Sequence, residues 1–154
     1  MFDWLRRRRA PPTPTRPVPP PPPDFVDEVL GALRWDDDDN GWIVTVTGSS
    51  ERPSFTIVVA GDEAPDARLL SHARELAAAP GPLVSRARSL LEDFLTEYPE
   101  CGDEVLGLHI ATVHLPWPDR PDDGYINFDG PDVDERLWHC DYVGRIPRDL
   151  GFDD

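Results

Sequence analysis

The side chains most capable of chemistry fall into three groups. The first is the run Asp36, Asp37, Asp38 and Asp39, followed by Asn40-Gly41. Its D-x-D-x-N-G spacing matches the start of a calcium-binding loop. That loop requires a bidentate Glu at its twelfth position and a helix on each side. Thr47 occupies the twelfth position here, and the flanking residues alternate as strands do. The run therefore reads as a solvated hairpin turn, with four carboxylates able to hold Ca²⁺ only loosely. The second group is His139-Cys140. Neighbours on a strand point to opposite faces, so these two cannot grip one metal ion. His109 and His114 lie on another predicted strand, without metal-ligand spacing. The third group is the carboxylates of the last thirty residues: Asp134, Glu135, Asp141, Asp149, Asp153 and Asp154. Paired carboxylates can do acid/base work at a defined separation. In a chain with 30 acids, however, such pairs arise by chance.

Motifs for other chemistry are missing. Ser49-Ser50 stands in a turn and not in a G-x-S-x-G elbow, and there is no G-x-G-x-x-G or Walker loop. Cys140, between Trp138 and Tyr142, reads as a small buried apolar residue, and Cys101 as a loop thiol open to oxidation. The reading is of a non-catalytic chain with no cofactor and no metal. The alternative is a small enzyme using carboxylates of the C-terminal hairpin.

The elements that position these groups follow from periodicity. Residues 29–35, 42–47 and 55–60 alternate apolar and polar side chains and are predicted to be strands. Asn40-Gly41 supplies the turn between the first two. Leu69, Leu70, Ala73, Leu76 and Ala77 then recur at helical spacing, after Pro65 and before Pro80-Gly81. Leu83, Ala87, Leu90, Leu91, Phe94 and Tyr98 form the stripe of a second helix, ended by Pro99. Strands resume with Leu106, Leu108 and Ile110. A parity change to Val113 and Leu115 predicts a bulge near Ala111. Ile126 and Phe128 mark one further strand, and Trp138, Cys140 and Tyr142 share one face of the last. The expected fold is α+β: an antiparallel sheet in the order β-β-β-α-α-β-β-β, with a helical hairpin packed on one face.

Charge divides the 154 residues into an arm and a domain. Residues 1–23 hold five Arg, one Asp and nine of the 19 prolines, a basic and proline-rich disordered arm of extended polyproline character. Residues 24–154 hold ten Arg against 29 acids, a single acidic domain at −19. That charge repels nucleic acid and attracts a basic protein. Phe2 and Trp4, with Arg6 to Arg9, form a short amphipathic start. They offer contact with an anionic membrane, the basis of a second alternative, a membrane-peripheral adaptor. No secretory h-region follows those arginines, so the expected location is cytoplasmic. The expected partner-binding residues are Trp117, in a loop, and the acids Asp134, Glu135, Asp141, Asp149, Asp153 and Asp154.

A resemblance rests on Leu30, Gly31, Leu33, Trp35, Gly41, Trp42, Leu106, Leu108, Ile110, Asp134, Glu135, Arg136 and Trp138, with the terminal Gly-Phe-Asp-Asp. This layout resembles small bacterial domains of unknown function, the 2262-like type, over residues 24–154. It implies a fold and no catalytic residues. Similar small acidic α+β domains include immunity proteins that neutralise toxins. That likeness implies a protein-binding domain, an immunity-like inhibitor of a basic partner.

Overall fold

The computed structural model describes residues 24–50, 52–131 and 136–153. The strands are Phe25–Asp27 (β1), Gly31–Asp36 (β2), Gly41–Val46 (β3), Phe55–Val59 (β4), His109–Leu115 (β5), Gly124–Asp129 (β6), Leu137–Val143 (β7) and Ile146–Asp153 (β8). Between β4 and β5 come Ala67–Ala78 (α1), Gly81–Glu97 (α2), a 3-10 turn at Pro99–Cys101 and the short helix Gly102–Val105 (α3). The fold is α+β, with one sheet of eight strands lying side by side in sequence order.

Two features differ from the sequence expectation. The sheet is mixed: β4 and β5 run parallel, Ile57 opposite Val113 and Val59 opposite Leu115, while the other neighbours are antiparallel. The helices cause this. They form a long crossover, the kind of connection that parallel neighbours require. There are also eight strands and not six. Phe25–Asp27 pairs with the first half of β2, and Ile146–Asp153 pairs with β7 along the other edge. Neither has the regular alternation that marks a strand. β1 has three residues, and β8 contains Pro147 and the left-handed Asp149, φ 53°. Proline is tolerated at such an edge. Leu106 and Leu108 precede β5 and do not belong to it, because Gly102–Val105 coils as α3.

Local chemistry explains the element ends. Asp66, with extended backbone, caps α1 by accepting from the N–H groups of Arg68 and Leu69 at 2.9 and 3.3 Å. Pro82 sits in the first turn of α2, where its missing N–H costs nothing. Asn40 takes φ 48° in the β2–β3 turn. The ladder shifts register between Ile110 and Thr112, the bulge that the parity change predicts.

The core gathers one set of alternating strand residues. Trp42, Val44 and Val46 join Phe55, Ile57 and Val59, then Val113, Leu115 and Ile126, and then Trp138, Cys140 and Tyr142, all buried. Leu69, Ala73 and Leu76 of α1 and Leu83 and Ala87 of α2 enter the same cluster. Each large aliphatic side chain fully buried there stabilises the fold by about 1.5–3 kcal/mol. Phe94 of α2 meets Trp138 edge-on at 5.6 Å. His72 of α1 lies 5.7 Å from the ring of Tyr142. No helix among the described residues is long and apolar enough to cross a membrane.

Candidate functional site

The residues between those core positions form two rows across the sheet. Register places Arg34, Ile43, Val58, His114, Tyr125, Asp141 and Arg148 side by side on successive strands. The next row runs Thr45, Thr56, Thr112, Asn127, His139 and Gly151. Most of these side chains are polar, and they share the face opposite the core set. Seven strands, β2 to β8, contribute to this polar face. Its composition therefore depends on pairing across the sheet and not on any local motif.

A concavity of about 480 Å³ opens on this face, with Trp117, Tyr125, Asn127, His139, Asp141 and Asp153 among its lining. Trp117 follows β5 and is 36% exposed. The guanidinium of Arg120 lies over its ring, 4.4 Å from the centroid. Tyr125 stacks on His114 at 4.2 Å with the rings 11° apart. The amide nitrogen of Asn127 stands 3.3 Å from Nε2 of His114, and Asp39 from the acidic turn stands 4.0 Å from the same nitrogen. His139 Nε2 is 3.5 Å from Asp153. Gly124 lets β6 run close to β5, since a Cβ there would fall 2.0 Å from the carbonyl of His114.

Asp141 and Asp153 line the concavity with Trp117 and Tyr125, Asp39 lies beside His114, and aromatic faces attract guanidinium and ammonium groups. Burial holds His114 below the ordinary histidine range, against the opposing pull of Asp39. Burial, and then Asp39, push the Tyr125 phenol upward, so it is not an activated nucleophile. The His–carboxylate separations of 3.5 and 4.0 Å exceed those of good hydrogen bonds. Asp141 has Arg148 directly across the β7–β8 ladder, without an ion pair between them among the described residues.

Sequence reasoning reached part of this site. Of its seven partner-binding residues, Trp117, Asp141 and Asp153 line the concavity together. Asp149 lies on β8 and does not line it. Asp134, Glu135 and Asp154 lie outside the described residues, as do Phe2, Trp4 and Arg6 to Arg9. Arg136, next to that gap, donates to Glu104 at 2.9 Å and lies over the Phe152 ring. Missed were Asp39, His114, Tyr125 and Asn127. His114 stands out in the sequence only as a metal-ligand candidate, and its place beside Tyr125 depends on β5–β6 register. His139 does point away from Cys140. The imidazole lines the concavity, and the thiol is fully buried and pushed up to about 12 by that burial. Cys101, read as a loop thiol, ends the 3-10 turn half-buried.

A second polar cluster joins α1 to the β7–β8 turn. His72 is buried, with Nδ1 2.6 Å from the Pro121 carbonyl and Nε2 3.1 Å from the Tyr142 hydroxyl. A carbonyl only accepts, so Nδ1 carries the hydrogen. In the neutral ring Nε2 then accepts from Tyr142. Burial holds His72 below the ordinary histidine range. Arg145 bridges Glu75 and Asp122 outside the pair, and Arg86 donates to its carbonyl at 2.9 Å. The cluster ties α1, the β5–β6 loop and the last hairpin together.

No family model matches the chain, no curated protein matches it, and no solved structure matches it.

Proposed function

We propose that the two helices cover the apolar face of the sheet and that the opposite polar face is a docking surface for a basic protein. On this reading the chain is a non-catalytic cytoplasmic binding domain, an immunity-like inhibitor that occludes a basic partner. One observation carries it: Asp141 and Asp153 line the same concavity as Trp117 and Tyr125. Carboxylates beside aromatic rings suit Arg and Lys side chains, through charge-assisted hydrogen bonds and cation–π contact. Arg120 stacked on Trp117 is an internal example of that contact. The surplus of acids over residues 24–154 adds long-range attraction, which speeds encounter and fades with salt.

The test is calorimetric titration of the full chain with an oligo-arginine peptide at low and at physiological salt. The Asp39→Asn, Asp141→Asn, Asp153→Asn triple variant is compared with a control, Glu92→Gln, Asp93→Asn, Glu97→Gln on the exposed part of α2. Both remove three negative charges. The reading expects the first to lose about tenfold or more in affinity and the second to lose little, since a hydrogen-bonded charge contributes about 1.5–3 kcal/mol. Equal losses would mean that overall charge alone attracts the peptide, and the reading would fall.

A further inference from the structure

A second cleft lies away from the polar face and has the opposite electrostatic character. It holds about 320 Å³ between α2, α3 and the β4 and β5 strands. Val84, Leu91, Leu95, Val105 and Leu108 supply apolar walls. Leu106, 78% exposed, extends that surface outward. The polar lining is Arg52, Arg88, Glu92 and His109, so two guanidiniums face one carboxylate in a domain that is otherwise strongly acidic. Neither arginine side chain has a hydrogen bond or ion pair among the described residues, although acids outnumber arginines almost threefold over residues 24–154. Among the described residues, Nε of Arg52 is buried with no hydrogen-bond partner. A buried donor left unpaired costs free energy.

From this combination we infer that the cleft binds a free single-chain amphiphile, an aliphatic tail ending in a carboxylate. The tail fills the leucine-lined part, and the carboxylate pairs with the guanidiniums of Arg88 and Arg52 that line the cleft. The size fits a short chain. A water takes about 30 Å³ of liquid, and a methylene is of similar bulk, so the cleft suits roughly ten heavy atoms. Ligand pockets of this kind are apolar with a few convergent polar groups. This site is independent of the polar sheet face.

The experiment titrates the full chain with decanoate, below its micellar range, and reads affinity by calorimetry. Decyltrimethylammonium has the same tail with a cationic head and serves as the comparison. Decanoate should bind at least about tenfold more tightly, the effect of one charge-assisted hydrogen bond. Arg52→Gln with Arg88→Gln should erase that preference, and Val84→Trp, which fills the cleft, should abolish decanoate binding. Thermal melts of each variant check that the fold is kept, and a variant that fails to fold is replaced by Arg88→Gln or Leu95→Phe. Equal affinity for the two amphiphiles, or a preference that survives the double arginine substitution, would overturn the inference. Two further arms separate other occupants. Sedimentation with phosphatidylglycerol vesicles, without decanoate binding, would assign the cleft to a membrane and overturn it. Loss of decanoate binding on replacing Phe2, Trp4 and Leu5 by Ser would also overturn it, because those residues and not the cleft would then hold the amphiphile.

Discussion

Asp27 provides the sharpest test of how the sheet edge is held to α1. Its side chain is 2% exposed and accepts from the N–H groups of Val29 and Leu30, each at 2.9 Å. Arg74 of α1 donates to the same carboxylate, from Nε at 3.0 Å and from a terminal nitrogen. The guanidinium, helped by the two amides, holds the Asp27 carboxyl at about 2, below its ordinary 3.8. At 1.36 kcal/mol per pH unit this corresponds to a ceiling of a little over ~2 kcal/mol. Arg74 is 42% exposed, so solvent screening reduces the ion-pair contribution to about 1–1.5 kcal/mol. Asp27→Asn keeps an acceptor for the two amides and loses the charge, so it should cost about that amount. Asp27→Ala also removes the acceptor and should cost about 2–2.5 kcal/mol. For a domain of this size the alanine variant should melt roughly 8–10 °C lower. The pH dependence has a definite sign. A carboxyl whose folded-state value is depressed stabilises the fold above the unfolded value, near 3.8, and loses that contribution as pH falls toward 2. Urea unfolding followed by tryptophan fluorescence at pH 7 and pH 2.5 measures both effects. The gap between the native protein and Asp27→Asn should narrow toward pH 2.5. A gap under about 0.5 kcal/mol at pH 7, or one that stays constant as pH falls, would refute the reasoning.

Other perturbations probe the remaining polar groups. His72 and His114 are held below the ordinary histidine range by burial, so the unfolded chain takes up protons near pH 6.5 before the folded one does. Stability should therefore fall as pH drops from 7 to 5, and His114→Gln should flatten part of that slope in denaturant titrations. Tyr142→Phe leaves Nε2 of His72 without its donor and should cost about 1–2 kcal/mol by urea unfolding. Thiol labelling at pH 8 should modify Cys101 first, and Cys140, pushed up to about 12 by burial, only at the rate of unfolding. Fast labelling of both in native buffer would show that β7 is not sealed.

The sequence reveals local elements and conceals long-range pairing. The parity of Trp138, Cys140 and Tyr142 correctly separates core from surface on β7, since side chains alternate on any strand. Both principal helices and the Ala111 bulge were also legible, because apolar spacing follows backbone period directly. The parallel β4–β5 pair was not, because nothing inside either strand encodes the direction of its neighbour. Leu106 and Leu108 alternate like a strand, but the preceding Gly102–Val105 takes a helical turn. The site was half legible for the same reason. Exposed Trp117, Asp141 and Asp153 follow from composition and turn position. The row of His114, Tyr125 and Asp141 exists only once three strands are in register.

The most direct measurement of the docking claim is a nuclear magnetic resonance titration of the isotope-labelled full chain with the oligo-arginine peptide. The account predicts that the largest shifts fall on the Trp117 indole, Tyr125, Asn127 and His139, around the concavity between Asp141 and Asp153, and that they vanish in the Asp39, Asp141 and Asp153 triple variant. Shifts centred on the acids of α2, or spread evenly over the acidic surface, would contradict it.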